Sequence, residues 1–358
     1  MYFIEYANKD SSIYELTPSK NTGGDEILEI GKISEGSLDD EGVNWLGSFL
    51  TRSLIAFNLD SIQTHISSSY IGNTPTYHLQ LFSATTELPH DATISVHPLS
   101  ESFDEGVGTV GSEPIISTSS TWSNRADGIP WSSGSNSFNL TNAGGAIWSS
   151  ESSSVVVDKN KSDLMLDVTD MVNSWLSGAL VNNGFVIKLG ADDENKDSNY
   201  RVSYFGRDTH TIFMPRLVVR WDSSDRSGVS SVETIDVTKE YSVYSTNCRP
   251  NYMVGEIANI RFVSRERYQA KAYSTIYTRS VKVLPETTYY QIRDLVTGTT
   301  FIPFDNSTKL SADDDGNFFA FDVSGLMPYR VYVIDLKVVS SDTDIRILQN
   351  VCTFKVRR

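Results

Sequence analysis

Apolar and polar residues alternate along most of this chain in short runs, separated by clusters of Gly, Asn, Asp, Ser and Pro. A period of two places successive side chains on opposite faces of an extended strand, whereas an amphipathic helix needs a period of about 3.6. The pattern predicts an all-β chain of antiparallel sandwiches, with early strands at 27–31, 52–59, 77–83, 93–98, 155–157, 163–167, 184–189, 202–205 and 217–221. Residues 167–178 depart from it. Val168, Met171, Val172 and Trp175 recur at helical spacing between a start signal at Asp167 or Thr169 and a closing Gly178, so a short helix is expected there.

The length of 358 residues favours two cores over one. A polar stretch begins at Asp222 and carries no large apolar residue until Val229, which suits a connection. The expected organisation is a large β-sandwich over 1–222, a linker over 223–236 and a smaller immunoglobulin-like sandwich over 237–358. The last part holds strand-sized runs at 241–244, 256–263, 278–284, 289–294, 318–323, 331–339 and 352–356, and a hairpin turn at Asp313-Asp314-Asp315-Gly316-Asn317.

Charge divides the chain in the same place. Residues 1–225 carry 13 Lys and Arg against 30 Asp and Glu, and residues 226–358 carry 17 against 15. An acidic surface repels phosphate backbones and anionic bilayers, so neither nucleic acid nor membrane is an expected partner. The opening Met1-Tyr2-Phe3-Ile4-Glu5-Tyr6 lacks the basic-then-apolar pattern of an export signal, and no stretch approaches the ~20 apolar residues that cross a bilayer. The expectation is a soluble protein made in a cytoplasm. Cys248 and Cys352 are read as reduced residues in or near a β core, with a bridge between the first and last strands of the second domain as the alternative.

Several ordered pieces of the first part carry a family resemblance. They are Asn21-Thr22-Gly23-Gly24 leading into Leu28-Glu29-Ile30-Gly31, then Arg52-Ser53-Leu54-Ile55-Ala56-Phe57-Asn58-Leu59, then Tyr77-His78-Leu79-Gln80-Leu81-Phe82. Ser102-Phe103-Asp104-Glu105-Gly106 follows before Trp122, and Gly144-Gly145 after Trp131. Asp167-Val168-Thr169, Trp175, Asn183-Gly184-Phe185-Val186-Ile187, Tyr204-Phe205-Gly206-Arg207 and Pro215-Arg216-Leu217-Val218-Val219 close the series. In this order they resemble the DNRLRE family of jelly-roll-like modules, whose relatives include carbohydrate-binding modules. The stretch from Phe205 to Ile212 and on to Trp221 is similar to versions of the module in tailed-bacteriophage virion proteins.

That resemblance implies a non-enzymatic structural protein of a tailed-phage virion, at the neck, tail or baseplate periphery. It would be assembled in the host bacterial cytoplasm and dock with other virion proteins in multiple symmetric copies. The alternative is a glycan-binding module at a virion or cell surface that takes a polysaccharide. Trp122, Trp131, Trp148, Tyr70 and Tyr77 are its candidate platform, because sugar faces stack on flat rings; burial in the core competes with this. Arg52 and Arg207 match arginines recurrent in the family and are expected to form ion pairs with carboxylates.

No catalytic residues are expected. The chain has no Gly-x-Ser-x-Gly elbow, phosphate loop or dinucleotide-binding glycine pattern. His65, His78, His90, His97 and His210 show no metal-ligand spacing. No cofactor is expected; a structural calcium is the one ion suited to Asp192-Asp193-Glu194 with Asp197, or to Asp313–Asp315.

Overall fold

The computed structural model describes residues 1–38, 44–69, 74–132, 144–159, 163–196, 198–268, 281–341 and 344–358. It is all-β: a jelly-roll-like sandwich followed in sequence by a smaller immunoglobulin-like one. The chain divides into two compact units, Glu5–His65 with Thr76–Val218, and Met1–Ile4 with Ile66–Pro75 and Val219–Arg358.

The first part of the chain runs β1 (Tyr2–Tyr6), β2 (Lys9–Tyr14), β3 (Ile27–Leu38), β4 (Asn44–Ala56), α1 (Asp60–Ser69), β5 (Thr76–Leu81), β6 (Ser83–Glu87), β7 (Ala92–Pro98), β8 (Asn124–Ala126), β9 (Ile129–Pro130), β10 (Ser153–Val157), β11 (Leu164–Asp167), α2 (Thr169–Leu176), β12 (Phe185–Leu189), α3 (Ala191–Asn195), β13 (Tyr200–Phe205) and β14 (Arg216–Arg220). An eight-stranded sheet has the order β10–β7–β12–β4–β3–β13–β6, with β2 also on β4, and a four-stranded sheet has the order β1–β14–β5–β11. Residue chemistry explains the placements. Strand β7 buries every second residue, as its alternation requires, whereas β12, flanked by β4 and β7, is buried at every position. Helix α2 forms where helical spacing appears, with Met171, Val172 and Trp175 buried and the Asp167 carboxylate accepting from Thr169 N–H at 2.9 Å.

Strands β3 and β4 outrun the sheet. Strand β13 pairs with β3 only over 27–32, and β2 pairs with β4 only over 51–56. From Ile33↔Phe49 to Leu38↔Asn44 the two strands have only each other, among the described residues. These six residue pairs make a two-stranded ribbon of roughly 20 Å at strand rise.

The later part of the chain runs β15 (Tyr241–Ser245), β16 (Asn251–Met253), β17 (Ile257–Glu266), β18 (Thr288–Asp294), β19 (Thr300–Ile302), β20 (Ser311–Asp313), β21 (Gly316–Asp322), β22 (Val331–Ser341) and β23 (Asp344–Arg357). They form a four-stranded sheet, β15–β17–β21–β20, and a five-stranded sheet, β16–β23–β22–β18–β19. Stacked rings fill the core: Tyr290 lies 3.7 Å and Phe262 6.0 Å from Phe319, centroid to centroid. Of the strand expected at 278–284, residues 278–280 lie outside the described residues. Lys282 and Val283 make single bridges to Ser264 and Thr234.

The expected boundaries shift at their edges. Trp221 N–H donates to the Met1 carbonyl at 3.1 Å, and Met1–Ile4 group with the later unit. Residues 223–236, read as a linker, are tied into that unit. Asp225 N–H donates to Ser311 Oγ at 3.0 Å, Ile235 N–H donates to the Val283 carbonyl at 2.8 Å, and the Ile235 side chain is buried.

The reading of reduced cysteines is corrected: Cys248 and Cys352 form a disulfide with Cα atoms 6.1 Å apart. Sequence separation hid this proximity, since the two cysteines stand 104 positions apart along the chain before strand pairing brings β23 back. A bridge that closes so long a loop restricts the unfolded chain, and Cys248→Ser with Cys352→Ser is expected to cost about 2–4 kcal/mol. Urea denaturation of the double variant against the oxidised protein measures it.

Candidate functional site

Three residues of the candidate aromatic platform, Trp122, Trp131 and Tyr77, are buried. Trp122 and Trp131 lie in one core cluster with Ile13, Leu54, Leu99, Phe103 and Val186. Trp131 and Tyr77 are each 1% exposed, leaving no ring face for a sugar. Trp148 is half-buried, and Tyr70 lies outside the described residues. The Ser- and Gly-rich excursion between β7 and β10 therefore spends its tryptophans on folding back over the sheet. Trp131 Nε1 donates to the Thr121 carbonyl at 3.0 Å, and Gly144 N–H donates to the Trp122 carbonyl at 2.7 Å. Gly144 has φ +76°, and a Cβ there would lie 2.8 Å from the Trp122 ring, so the close approach requires glycine.

Arg52 holds the excursion down. Its guanidinium lies 5.2 Å from the Trp122 ring centroid, donates to the Gly144 carbonyl at 2.9 Å and pairs with Glu194 at 3.2 Å. Lys188 on β12 joins the same carboxylate at 2.8 Å. Burial pushes the Lys188 ammonium below its ordinary range, while Glu194 opposes the shift. His97 is pushed down to about 4, mainly by burial and then by Lys188, and so stays neutral near pH 7.

The acidic run expected as a loop is the short helix α3, and cations of the protein occupy its carboxylates. Glu194 serves Arg52 and Lys188; Asp193 accepts from Thr93 N–H at 2.7 Å and pairs with Lys196 at 2.6 Å. At the other acidic run, Asp313 grips Arg261 through two contacts of 2.5 and 2.7 Å, and Asp314 accepts from Ser230 and Ser231 N–H. Asp197 lies outside the described residues.

Arg207 belongs to a second polar cluster. It pairs with Glu105 at 3.4 Å and Asp208 at 3.0 Å, and its backbone N–H donates to the Asp10 carboxylate at 2.5 Å. Asp10 is 1% exposed, and burial pushes its carboxyl up to about 7, with Glu105 and Asp208 adding to the rise. A carboxyl raised from 3.8 binds more protons folded than unfolded between pH 4 and 7, so its contribution is present below that window and lost as pH rises through it. Asp10→Asn is therefore expected to gain on the wild type by about 2–4 kcal/mol from pH 4 to pH 8, read from urea midpoints along the pH series.

One concavity gathers groups that the sequence analysis did not place in a candidate site. Asn8, Asn58, Asn182, Asn183, Gln63, Lys9 and Asp60 surround Phe57, Phe103 and Trp175 in a groove of about 370 Å³. Asn182 is fixed by donating to the Phe57 carbonyl at 2.9 Å and accepting from Gly184 N–H at 3.2 Å. The Trp175 indole N–H is buried with no acceptor among the described residues. Exposed Asn58 and Gln63 amides can exchange hydrogen bonds with a neutral polyol. Asp60 is the one carboxylate among the described residues of this lining. In sequence Asn58 falls in the run expected as a strand over 52–59 and Asn183 in a piece of the family resemblance, and neither reads as part of a binding site.

No family model matches the chain, and no curated protein matches it. No described helix is long and apolar enough to cross a membrane.

Proposed function

We propose that this is a non-enzymatic structural protein of a tailed-phage virion, at the neck, tail or baseplate periphery, working by protein–protein docking. The observation that carries the docking role is the β3–β4 ribbon. Two strands alone are marginal in water, and along 33–38 and 44–49 neither has a third strand beside it among the described residues, which leaves strand edges that a partner can use. A docking role is also consistent with the buried polar clusters, whose charges are spent on one another around Glu194 and Arg207. The placement in a phage particle rests on the sequence resemblance, and assembly would take place in the host bacterial cytoplasm. Quantitative mass spectrometry of density-purified particles tests it. A fixed small multiple relative to the major capsid protein is expected, and absence from the particles would refute the reading.

The amide-lined groove favours a second reading, polysaccharide binding at a virion or cell surface. Saturable binding of a host polysaccharide in calorimetry, weakened by Asn58→Ala with Gln63→Ala, is its expected signature.

A further inference from the structure

We infer that an acidic knob on the jelly-roll unit of one copy docks on a basic rim of the immunoglobulin-like unit of a second copy, a head-to-tail contact that rests on the docking reading above. The knob is the loop 105–116, and one side chain holds it in shape. Buried Asn21 donates through Nδ2 to the Glu105 and Ser120 carbonyls, each at 2.7 Å, and its Oδ1 accepts from Gly108 N–H at 2.8 Å. Its backbone N–H donates to the Ile116 carbonyl at 2.8 Å. The Asp25 carboxylate accepts from Val110 N–H at 3.0 Å, and Lys20 Nζ donates to the Val110 carbonyl. On this braced loop three aliphatic side chains stand in the open: Val107 is 77% exposed, and Val110 and Ile115 are exposed as well. From 101 to 118 the sequence carries Glu101, Asp104, Glu105 and Glu113 with no Lys or Arg. Glu101 and Glu105 pair with Arg125 and Arg207, whereas exposed Glu113 has no cation partner among the described residues.

The rim is set by register. Met253 pairs with Arg357, Val331 pairs with Lys355, and Asp294 pairs with Tyr332, which brings the ends of β16, β23 and β18 and the start of β22 to one end of the five-stranded sheet. Val254 N–H donates to the Arg357 carbonyl, Tyr329 N–H to Val356 and Leu295 N–H to Val331, fixing the adjoining turns there. Five apolar residues line this rim in the open: Val296 is 82% exposed and Tyr329 68%, with Met253, Val254 and Leu295 exposed as well. Scattered apolar residues are ordinary on a surface, but a cluster marks an interaction site. Tyr329 also sits at φ +66°, in the left-handed region that a large side chain occupies only at a cost, and it gains little burial within its own chain in return. Lys355 and Arg357 at the same end have no carboxylate partner among the described residues; Arg357 donates instead to Asn251 Oδ1 at 2.8 Å.

Knob on rim covers exposed apolar groups on both sides and brings an unpaired carboxylate to unpaired cations. Knob on knob, or rim on rim, would set like charges side by side. A loop already braced by Asn21 has little conformational freedom left to lose on docking, which favours the contact. Because the two surfaces differ, the contact is heterologous and builds rings or open stacks rather than a two-fold dimer.

Sedimentation of the full chain over a wide concentration range tests the inference. Concentration-dependent oligomers that weaken with salt are expected. Val107→Asp on the knob and Tyr329→Gly on the rim are each expected to raise the dissociation constant by roughly tenfold or more. Glycine relaxes the backbone at 329, so that variant should melt no lower than the wild type while it associates less. Arg357→Glu is expected to weaken association too, and adding Glu113→Arg to it should recover part of the loss. Thermal melts of each variant check that the fold persists. A monomer at every concentration, or oligomers indifferent to all these changes, would overturn the inference. Particle mass spectrometry separates the two claims: a chain present in the virion yet monomeric in solution retains the docking reading and removes this contact.

Discussion

Glu194→Gln is expected to destabilise the jelly-roll unit by about 3–5 kcal/mol, because it leaves two buried cations without their carboxylate. The side chains of Arg52, Lys188 and Glu194 are 10%, 3% and 13% exposed, and Glu194 lies 3.2 Å from the guanidinium and 2.8 Å from the ammonium. Coulomb attraction across such distances offsets the desolvation of all three groups only while the set is complete. Removing the anion turns attraction between Glu194 and each cation into unrelieved repulsion between Arg52 and Lys188. The loss should spread, since Arg52 also holds the Gly144 carbonyl and covers the Trp122 ring. Urea midpoints should fall, and hydrogen exchange should quicken in 120–131. Lys188→Met combined with Glu194→Gln should recover part of the loss by removing one of the stranded charges; a double variant as unstable as the single would contradict this account.

Trp131→Ala is expected to cost about 3–5 kcal/mol, the range for deleting a large ring from a packed core. The ring is 1% exposed among Leu54, Leu99, Phe103 and Trp122, and its deletion also leaves the Thr121 carbonyl without its 3.0 Å donor. Trp131→Phe keeps most of the apolar volume and removes that hydrogen bond, so about 1–2 kcal/mol should be lost. Denaturation midpoints of the two variants measure both terms. If Trp131→Ala left stability untouched and only weakened polysaccharide binding, the ring would have to be reassigned to a ligand surface. Trp131 and Arg52 both act on the excursion, so combining Trp131→Ala with Glu194→Gln should cost less than the two losses added separately.

Strands with one buried face were legible because local sequence decides them. The run expected at 93–98 is β7, and the run expected at 289–294 is β18, each alternating buried and half-buried positions over its length. Helix α2 was legible for the same reason. Strand β2 was not: Asp10, Ser11 and Ser12 are all 1% exposed, and what makes polar burial tolerable there comes from β4 and from Glu105, far along the chain. The ribbon was hidden because Gly36, Gly47 and the serines interrupt the alternation that marks a strand. At the candidate sites, sequence identified residue types but not their neighbours. Aromatic side chains near predicted loops looked available, yet tertiary folding returned Trp122 and Trp131 to the core. Glu194 looked like a possible calcium ligand in an acidic run because its partners Arg52 and Lys188 belong to different strands.

The position of β23 has a consequence for the order in which the protein can be made. This strand follows all its sheet neighbours in the sequence yet sits inside the sheet, between β16 and β22. A ribosome adding roughly 5–20 residues per second exposes those neighbouring edges before the strand that covers them exists. The Cys248 thiol must likewise wait for residue 352, and sandwich closure waits for the synthesis of 344–357. A nascent chain stalled before Asp344 should therefore present open strand edges and a free Cys248 thiol, while synthesis through Arg357 should allow both to close.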